Sequence, residues 1–182
     1  MDGEQSGIVP PYDDNLLNYV TKSYGQGISA TPIQMILALS AIVNDGRYMQ
    51  PNIVKQILSS EKNEVKEVKP KEIRQVISED TADIVIDIMD KVVNESNNLS
   101  KLANVYRIGG KTGTAQKVID GRYAKNIYIT SFFGFAPVDD PKVSVLFIVD
   151  EPNGSSVTGS STAAPAAIEF INNTLNLSLI HI

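Results

Sequence analysis

The residues most able to do chemistry lie in one short string, Gly109-Gly110-Lys111-Thr112-Gly113-Thr114-Ala115-Gln116. It falls within a segment that reads as a β-strand, residues 105–118. Glycine inside a strand weakens it and bares its backbone, which makes sense where another backbone must come close. A single ammonium group beside two short hydroxyls suits a carboxylate at the end of an extended peptide. The peptide backbone would pair as an added strand while the side chains hold the anion. The same letters also describe an edge strand with a solvated lysine and close-packed glycine, and short strings of Gly, Thr and Lys are common.

Composition narrows the chemistry further. The 182 residues include 16 basic and 21 acidic groups for a net charge of -5, with 42% hydrophobic and 20% charged residues. These values are near the globular average and exclude disordered and collagen-like classes. The chain has no cysteine, which removes disulfides, thiolate catalysis, zinc ribbons and iron–sulfur clusters together. Its single histidine, His181, stands beside the C-terminus and cannot build a histidine metal site or a Ser-His-Asp triad. No cofactor or metal is expected. Mild acidity without a clustered basic face argues against nucleic acid as a partner. No run of apolar residues is long enough to span a bilayer, and the first residues lack the pattern of a signal peptide. The opening, with Gly7, Pro10 and Pro11, reads as a loop from the interior of a longer protein.

Several elements must position the string. Thr31 suits a helix N-cap, Pro32 the first helical position, and Gln34 completes a capping box. Helical spacing continues to Val43, and Asn44-Asp45-Gly46 ends it. A second helix is predicted over 78–94, capped by Ser78, with Glu79 and Asp80 at its positive end and an apolar face running from Ala82 to Val93. Between them, 51–58 and 64–68 read as a half-exposed hairpin. Beyond the first sheet strand, Asp120-Gly121 signals a type I′ turn, followed by strands over 127–136 and 143–149 with Asp139-Asp140-Pro141 between them. A last helix starts near Ser161 or Thr162, and its alanines, from Ala163 to Ala167, let it lie close to another element. The reading is one α+β unit over 1–182: an antiparallel sheet, the last helix on one face, and Lys111 on an edge strand.

Lys-Thr-Gly is also one of three motifs shared by penicillin-binding proteins and β-lactamases. Here it stands among other blocks. Gly25-Gln26-Gly27-Ile28-Ser29-Ala30-Thr31-Pro32 precedes it, Tyr106-Arg107-Ile108 leads into it, and Asp120-Gly121-Arg122-Tyr123, Ser131-Phe132-Phe133-Gly134-Phe135-Ala136-Pro137 and Ala163-Ala164-Pro165 follow. In this order the blocks closely resemble the C-terminal half of the transpeptidase domain of class B penicillin-binding proteins, the septal division and sporulation members most of all. The resemblance implies a penicillin-binding/β-lactamase-like transpeptidase fold, cut on its N-terminal side. It implies peptidoglycan stem peptides ending in D-Ala-D-Ala as substrate, β-lactams as inhibitors of the intact domain, and division proteins of the membrane as partners. By motif, Lys111 would supply charge and hydrogen bonding, Thr112 and Thr114 would hold the carboxylate, and Gly113 would leave room for the ligand. The Thr114 N–H would be one of two oxyanion donors, each typically worth about 10²–10³ in rate. The intact protein would sit on the outer face of the cytoplasmic membrane, anchored by an N-terminal helix outside this chain.

The family's Ser-x-x-Lys nucleophile and its Ser-x-Asn motif both belong upstream of the Gly-Gln-Gly block, and neither is found there. Two look-alikes carry little weight. Ser59-Ser60-Glu61-Lys62 lies in a charged turn with nothing apolar to depress a lysine pKa. Ser96-Asn97-Asn98 follows a helix end on the wrong side of Gly-Gln-Gly. Asp13-Asp14 and Asp139-Asp140 read as turn residues without metal spacing, and Arg122 and Tyr123 as hairpin surface overhanging the Lys-Thr-Gly strand. The expectation is therefore a D,D-transpeptidase portion that is inactive alone. The alternative is a non-catalytic module of the same shape that binds peptidoglycan peptide or division proteins.

Overall fold

The computed structural model describes residues 3–10, 16–59, 64–103 and 105–180. Helix α1, Leu16–Ser23, comes first and buries no residue. Sequence patterning gave no sign of it, because a helix this short has no long apolar stripe to read. Helix α2, Pro32–Ile42, starts where its capping box predicts. The Gln34 N–H donates to Thr31 Oγ1 at 3.3 Å, and the Thr31 N–H donates back to Gln34 Oε1 at 3.0 Å.

Strand β1, Arg47–Met49, pairs antiparallel with β4, Glu72–Gln75. Between them β2, Gln56–Ser59, and β3, Glu64–Glu67, form the expected hairpin, shorter than the 51–58 and 64–68 predicted. The β1–β4 ribbon was not foreseen, since each strand is too short for alternation to show. Helix α3, Glu79–Asn94, is capped by Ser78, whose Oγ accepts from the Thr81 N–H at 3.2 Å.

The sheet that carries the candidate string contains β5 (Gly109–Ile119), β6 (Arg122–Ala136) and β7 (Val143–Asp150) in that order, all antiparallel. Asp120 and Gly121, with φ of 51° and 74°, make the β5–β6 turn, as the type I′ signal requires. Two boundaries differ by more than one residue from the prediction. β6 starts five positions earlier, zipped against Val118 and Ile119. β5 starts only at Gly109, because Tyr106 bonds the last helix while Arg107 and Ile108 leave the ladder to bond α3 and the β6–β7 turn.

Alternation along β6 divides the core in two. Phe132 faces α4, Ala163–Ile180, and packs with Val145, Ala164, Ala167, Ile168 and Ile171. Phe133 and Phe135 face the other way, onto Met89 of α3, Ile36 and Leu39 of α2, and its C-cap Val43. Ala163, Ala164 and Ala167 are fully buried, so the helix backbone lies close to the sheet there, as predicted, whereas Ala166 of the same predicted run faces solvent. Among the described residues no helix is long and apolar enough to cross a membrane.

Candidate active site

Strand β5 is an edge strand among the described residues, hydrogen-bonded to β6 on one side only. Lys111 pairs with Phe133, Thr112 with Phe132, Gly113 with Ser131 and Thr114 with Thr130. Because side chains alternate, Lys111 lies on the α2/α3 face and both threonines on the α4 face. A ligand that meets lysine and threonines together must therefore straddle the open edge. That is the geometry of an extended peptide added as a strand. Lys111 is exposed, and its Nζ donates to the Thr112 carbonyl at 2.8 Å. Thr112 is half-buried and Thr114 exposed.

The glycines of the string have reasons internal to the fold. A Cβ on Gly109 would sit 2.3 Å from the Phe135 ring, one on Gly110 2.5 Å from the Phe132 ring, and one on Gly113 2.4 Å from Ser131 Oγ. Gly109 and Gly110 leave room for aromatic rings from β6 against the neighbouring strand, one on each face, and Gly113 for the Ser131 hydroxyl. Sequence reasoning assigned these glycines to a visiting backbone. The register shows that part of the demand comes from β6.

Three supports hold the strand. At its start, the Asp90 carboxylate of α3 accepts from Arg107 Nε at 3.0 Å and Nη2 at 2.6 Å, and from Asn94 Nδ2 at 2.7 Å. Asn94 also donates to the Ile108 carbonyl at 3.0 Å, and the Val138 N–H to the Arg107 carbonyl at 3.0 Å. Hydrogen bonding to Asp90, then its charge, raises the Arg107 pKa further. In mid-strand, the Gly159 N–H donates to Thr114 Oγ1 at 3.1 Å. Farther along, Lys117 Nζ pairs with Glu151 at 2.6 Å and Asp150 at 2.9 Å, and hydrogen bonds to these two raise its pKa. None of these partners was singled out by sequence. Asp90 sits among the polar letters of an amphipathic helix, and Gly159 lies in a loop with no period.

The Gly-Gln-Gly block meets the far end of the same strand. The Gly27 N–H donates to the Tyr123 hydroxyl at 3.2 Å. A cleft of about 360 Å³ opens there, lined by Gln26, Ile28, Ala115, Gln116, Val118 and Tyr123 among others. Tyr123 is thus a contact between the hairpin and the earlier block as well as hairpin surface.

The rejected look-alikes stay remote in character. Ser59 ends β2 and pairs with Glu64, while Ser60, Glu61 and Lys62 lie outside the described residues. Ser96 Oγ accepts from the Leu99 N–H at 3.4 Å in the turn after α3. Asp139 and Asp140 are turn residues paired with Arg107 and Lys142. Asp13, Asp14 and His181 lie outside the described residues. No group of His, Cys, Asp or Glu able to hold a metal occurs among the described residues.

Residues 1–172 match the family described as the penicillin binding protein transpeptidase domain. Among curated relatives, stage V sporulation protein D of Bacillus subtilis is 41% identical over 96% of this chain and 27% of its own length. The probable peptidoglycan D,D-transpeptidase PenA of Neisseria flavescens is 29% identical over 96% of the chain and 42% of its own. The chain therefore spans less than half the length of either relative. Penicillin binding protein 3 of Mycobacterium tuberculosis superposes in its apo form with a TM-score of 0.84, at 29% identity, over 98% of this chain and 42% of that one. Its complex with ampicillin gives 0.78 at 30% identity, over 96% and 40%. The open-edged Lys-Thr-Gly strand, the helices on both faces of its sheet and these matches agree: the chain belongs to the penicillin-binding-protein transpeptidase family.

Proposed function

We propose that this chain is the C-terminal part of a serine-type peptidoglycan D,D-transpeptidase that crosslinks stem peptides in cell-wall synthesis at division. The observation that carries the reading is the edge of β5, open to an added strand, with Lys111 on one face and Thr112 and Thr114 on the other. A stem peptide ending in D-Ala-D-Ala would pair along this edge and leave its carboxylate to the threonine hydroxyls. A serine oxygen from an upstream Ser-x-x-Lys segment would attack the penultimate D-Ala carbonyl. The Thr114 N–H would help bind the oxyanion, and the terminal D-Ala would leave with the proton taken from the serine. An amine on a neighbouring stem would then attack the acyl-enzyme, releasing the serine and forming the crosslink. Lys111 contributes positive charge beside the reacting groups.

A β-lactam presents the same carboxylate and would be held by the same hydroxyls, trapping the serine. The ampicillin complex of the mycobacterial relative supports β-lactams as ligands. The intact protein would lie on the outer face of the cytoplasmic membrane, held by an N-terminal helix, in contact with division proteins. The test is to read the gene upstream and label its full product with a fluorescent penicillin. Ser-x-x-Lys and Ser-x-Asn upstream, with one stoichiometric adduct, are expected. A full reading frame without those motifs refutes the enzyme and leaves the peptide-binding module.

A further inference from the structure

The geometry points to Gly159 as a positioning residue that sets both the height of the Lys-Thr-Gly strand and the donor direction of the Thr114 hydroxyl. The inference rests on the reading of that strand as a carboxylate site.

Gly159 is buried, in the turn before α4. Its N–H donates to Thr114 Oγ1 at 3.1 Å. A hydroxyl has one proton to give and two lone pairs. With a lone pair taken by Gly159, the Thr114 proton must point elsewhere, and a hydroxyl that already accepts donates more strongly. The Gly159 amide thus makes Thr114 a preorganised donor for an anion arriving at the strand edge.

The second contribution is spatial. A Cβ on Gly159 would lie 2.6 Å from the Gly113 carbonyl oxygen, 2.6 Å from that of Ser131, and 3.1 Å from Gly113 N. All three are backbone atoms of the β5–β6 ladder, so no side chain can swing away to make room. Unlike Gly121 and Gly154, Gly159 has no left-handed φ. Glycine is required here by space and not by conformation. The bare turn lies against the strand pair beside Gly113, the glycine of Lys-Thr-Gly, and any side chain would push that strand outward.

The turn is itself fixed. The Thr158 carbonyl accepts from the Ser161 and Thr162 N–H groups, and the Gly159 carbonyl from the Ala164 N–H at 2.9 Å. Thr162 Oγ1 lies 2.7 Å from Oγ1 of Thr130, which is fully buried and pairs with Thr114. The first turn of α4, the middle of β6 and the site threonine form one connected unit.

The test uses the full-length protein and two probes, benzylpenicillin and its methyl ester, with the acylation rate constant measured for each. Wild type should prefer the free acid. In Gly159→Ala the acid should lose about tenfold more rate than the ester, the scale of one hydrogen bond to a charged group. Thr162→Val keeps volume but removes both the contact with Thr130 and the hydroxyl's bond to the Thr158 carbonyl at 2.8 Å, loosening the turn that holds Gly159, so it should move the same ratio in the same direction by a smaller factor. In a Thr114→Val background the effect of Gly159→Ala on the acid-to-ester ratio should shrink, leaving only the part due to the displaced Thr112 and Lys111; an undiminished effect there would overturn the assignment to Thr114. Equal losses for acid and ester in the folded variants would overturn the inference and reduce Gly159 to a packing residue. If Gly159→Ala does not fold, Thr162→Val decides by the same ratio. A wild type that shows no preference for the acid would overturn the carboxylate reading itself, and the inference with it.

Discussion

Replacing Gly110 by alanine tests whether the strand carrying Lys-Thr-Gly is spaced by the rings of β6. The added Cβ would lie 2.5 Å from Phe132 Cζ and 2.6 Å from the Phe133 carbonyl oxygen. Phe132 is fully buried in the core with α4, and the second contact is backbone that cannot swing aside. Overpacking of this kind costs typically about 1–3 kcal/mol. Against it stands the lower entropy of the unfolded alanine chain, worth about 0.4–1 kcal/mol. The net loss should be about 1–2 kcal/mol, read as a fall of roughly 0.5–1 M in the urea midpoint at an ordinary denaturant slope. Unfolding is best followed by far-ultraviolet circular dichroism, since the chain has no tryptophan. Phe132→Leu shortens the ring and relieves one of the two contacts. The double variant should therefore be more stable than the sum of the two losses implies, by at least about 0.5 kcal/mol. A Gly110→Ala protein as stable as wild type, or one whose loss simply adds to that of Phe132→Leu, would show that ring packing does not dictate the glycine.

Other outcomes follow from the same contacts. Thr31→Ala removes the side-chain half of the α2 capping box and should cost about 1 kcal/mol in a denaturant titration, while Thr31→Ser should cost far less. Asp90→Ala should lower the melting temperature clearly more than Arg47→Ala, because Asp90 is buried with three side-chain donors whereas Arg47 meets only exposed carboxylates. Equal shifts would undo the account of how β5 is anchored. Lys117, whose pKa is raised from 10.5 by Glu151 and Asp150, contributes stability that is present below its unfolded pKa and lost as pH rises through the higher folded one. Its effect should be flat across pH 6–9. Loss should set in only above about pH 10.5, and Lys117→Met should abolish that alkaline loss in a melting series. Without an upstream nucleophile the 182 residues alone should give no covalent adduct with a fluorescent penicillin, since losing a catalytic serine costs on the order of 10⁶ in kcat. An adduct mapped to Ser59 by intact and peptide mass would overturn that reading.

Sequence alone determined whatever is local in the chain. Thr31-Pro32-Ile33-Gln34 and Ser78-Glu79-Asp80 start helices because an N-cap and its partner lie within one turn, so their letters suffice. Asp120-Gly121 specifies its hairpin turn because few residues accept positive φ. Lys111, Thr112, Gly113 and Thr114 could be picked out because charge, hydroxyls and missing side chains are properties of the letters, and the surrounding blocks then led to the family. Tertiary structure decided what depends on register and on partners distant along the chain. Alternation along a strand already separates Lys111 from Thr112 and Thr114, but only the pairing with β6 decides that the lysine takes the α2/α3 face and the threonines the α4 face. Residues 106–108 have the letters of a strand, but Arg107 instead leaves the ladder for Asp90, since a buried carboxylate must find its donors. Gly159 lies 45 positions from Thr114, and nothing in its neighbourhood announces the contact. A glycine needed for space can be recognised only when the backbone that would occupy that space is in view.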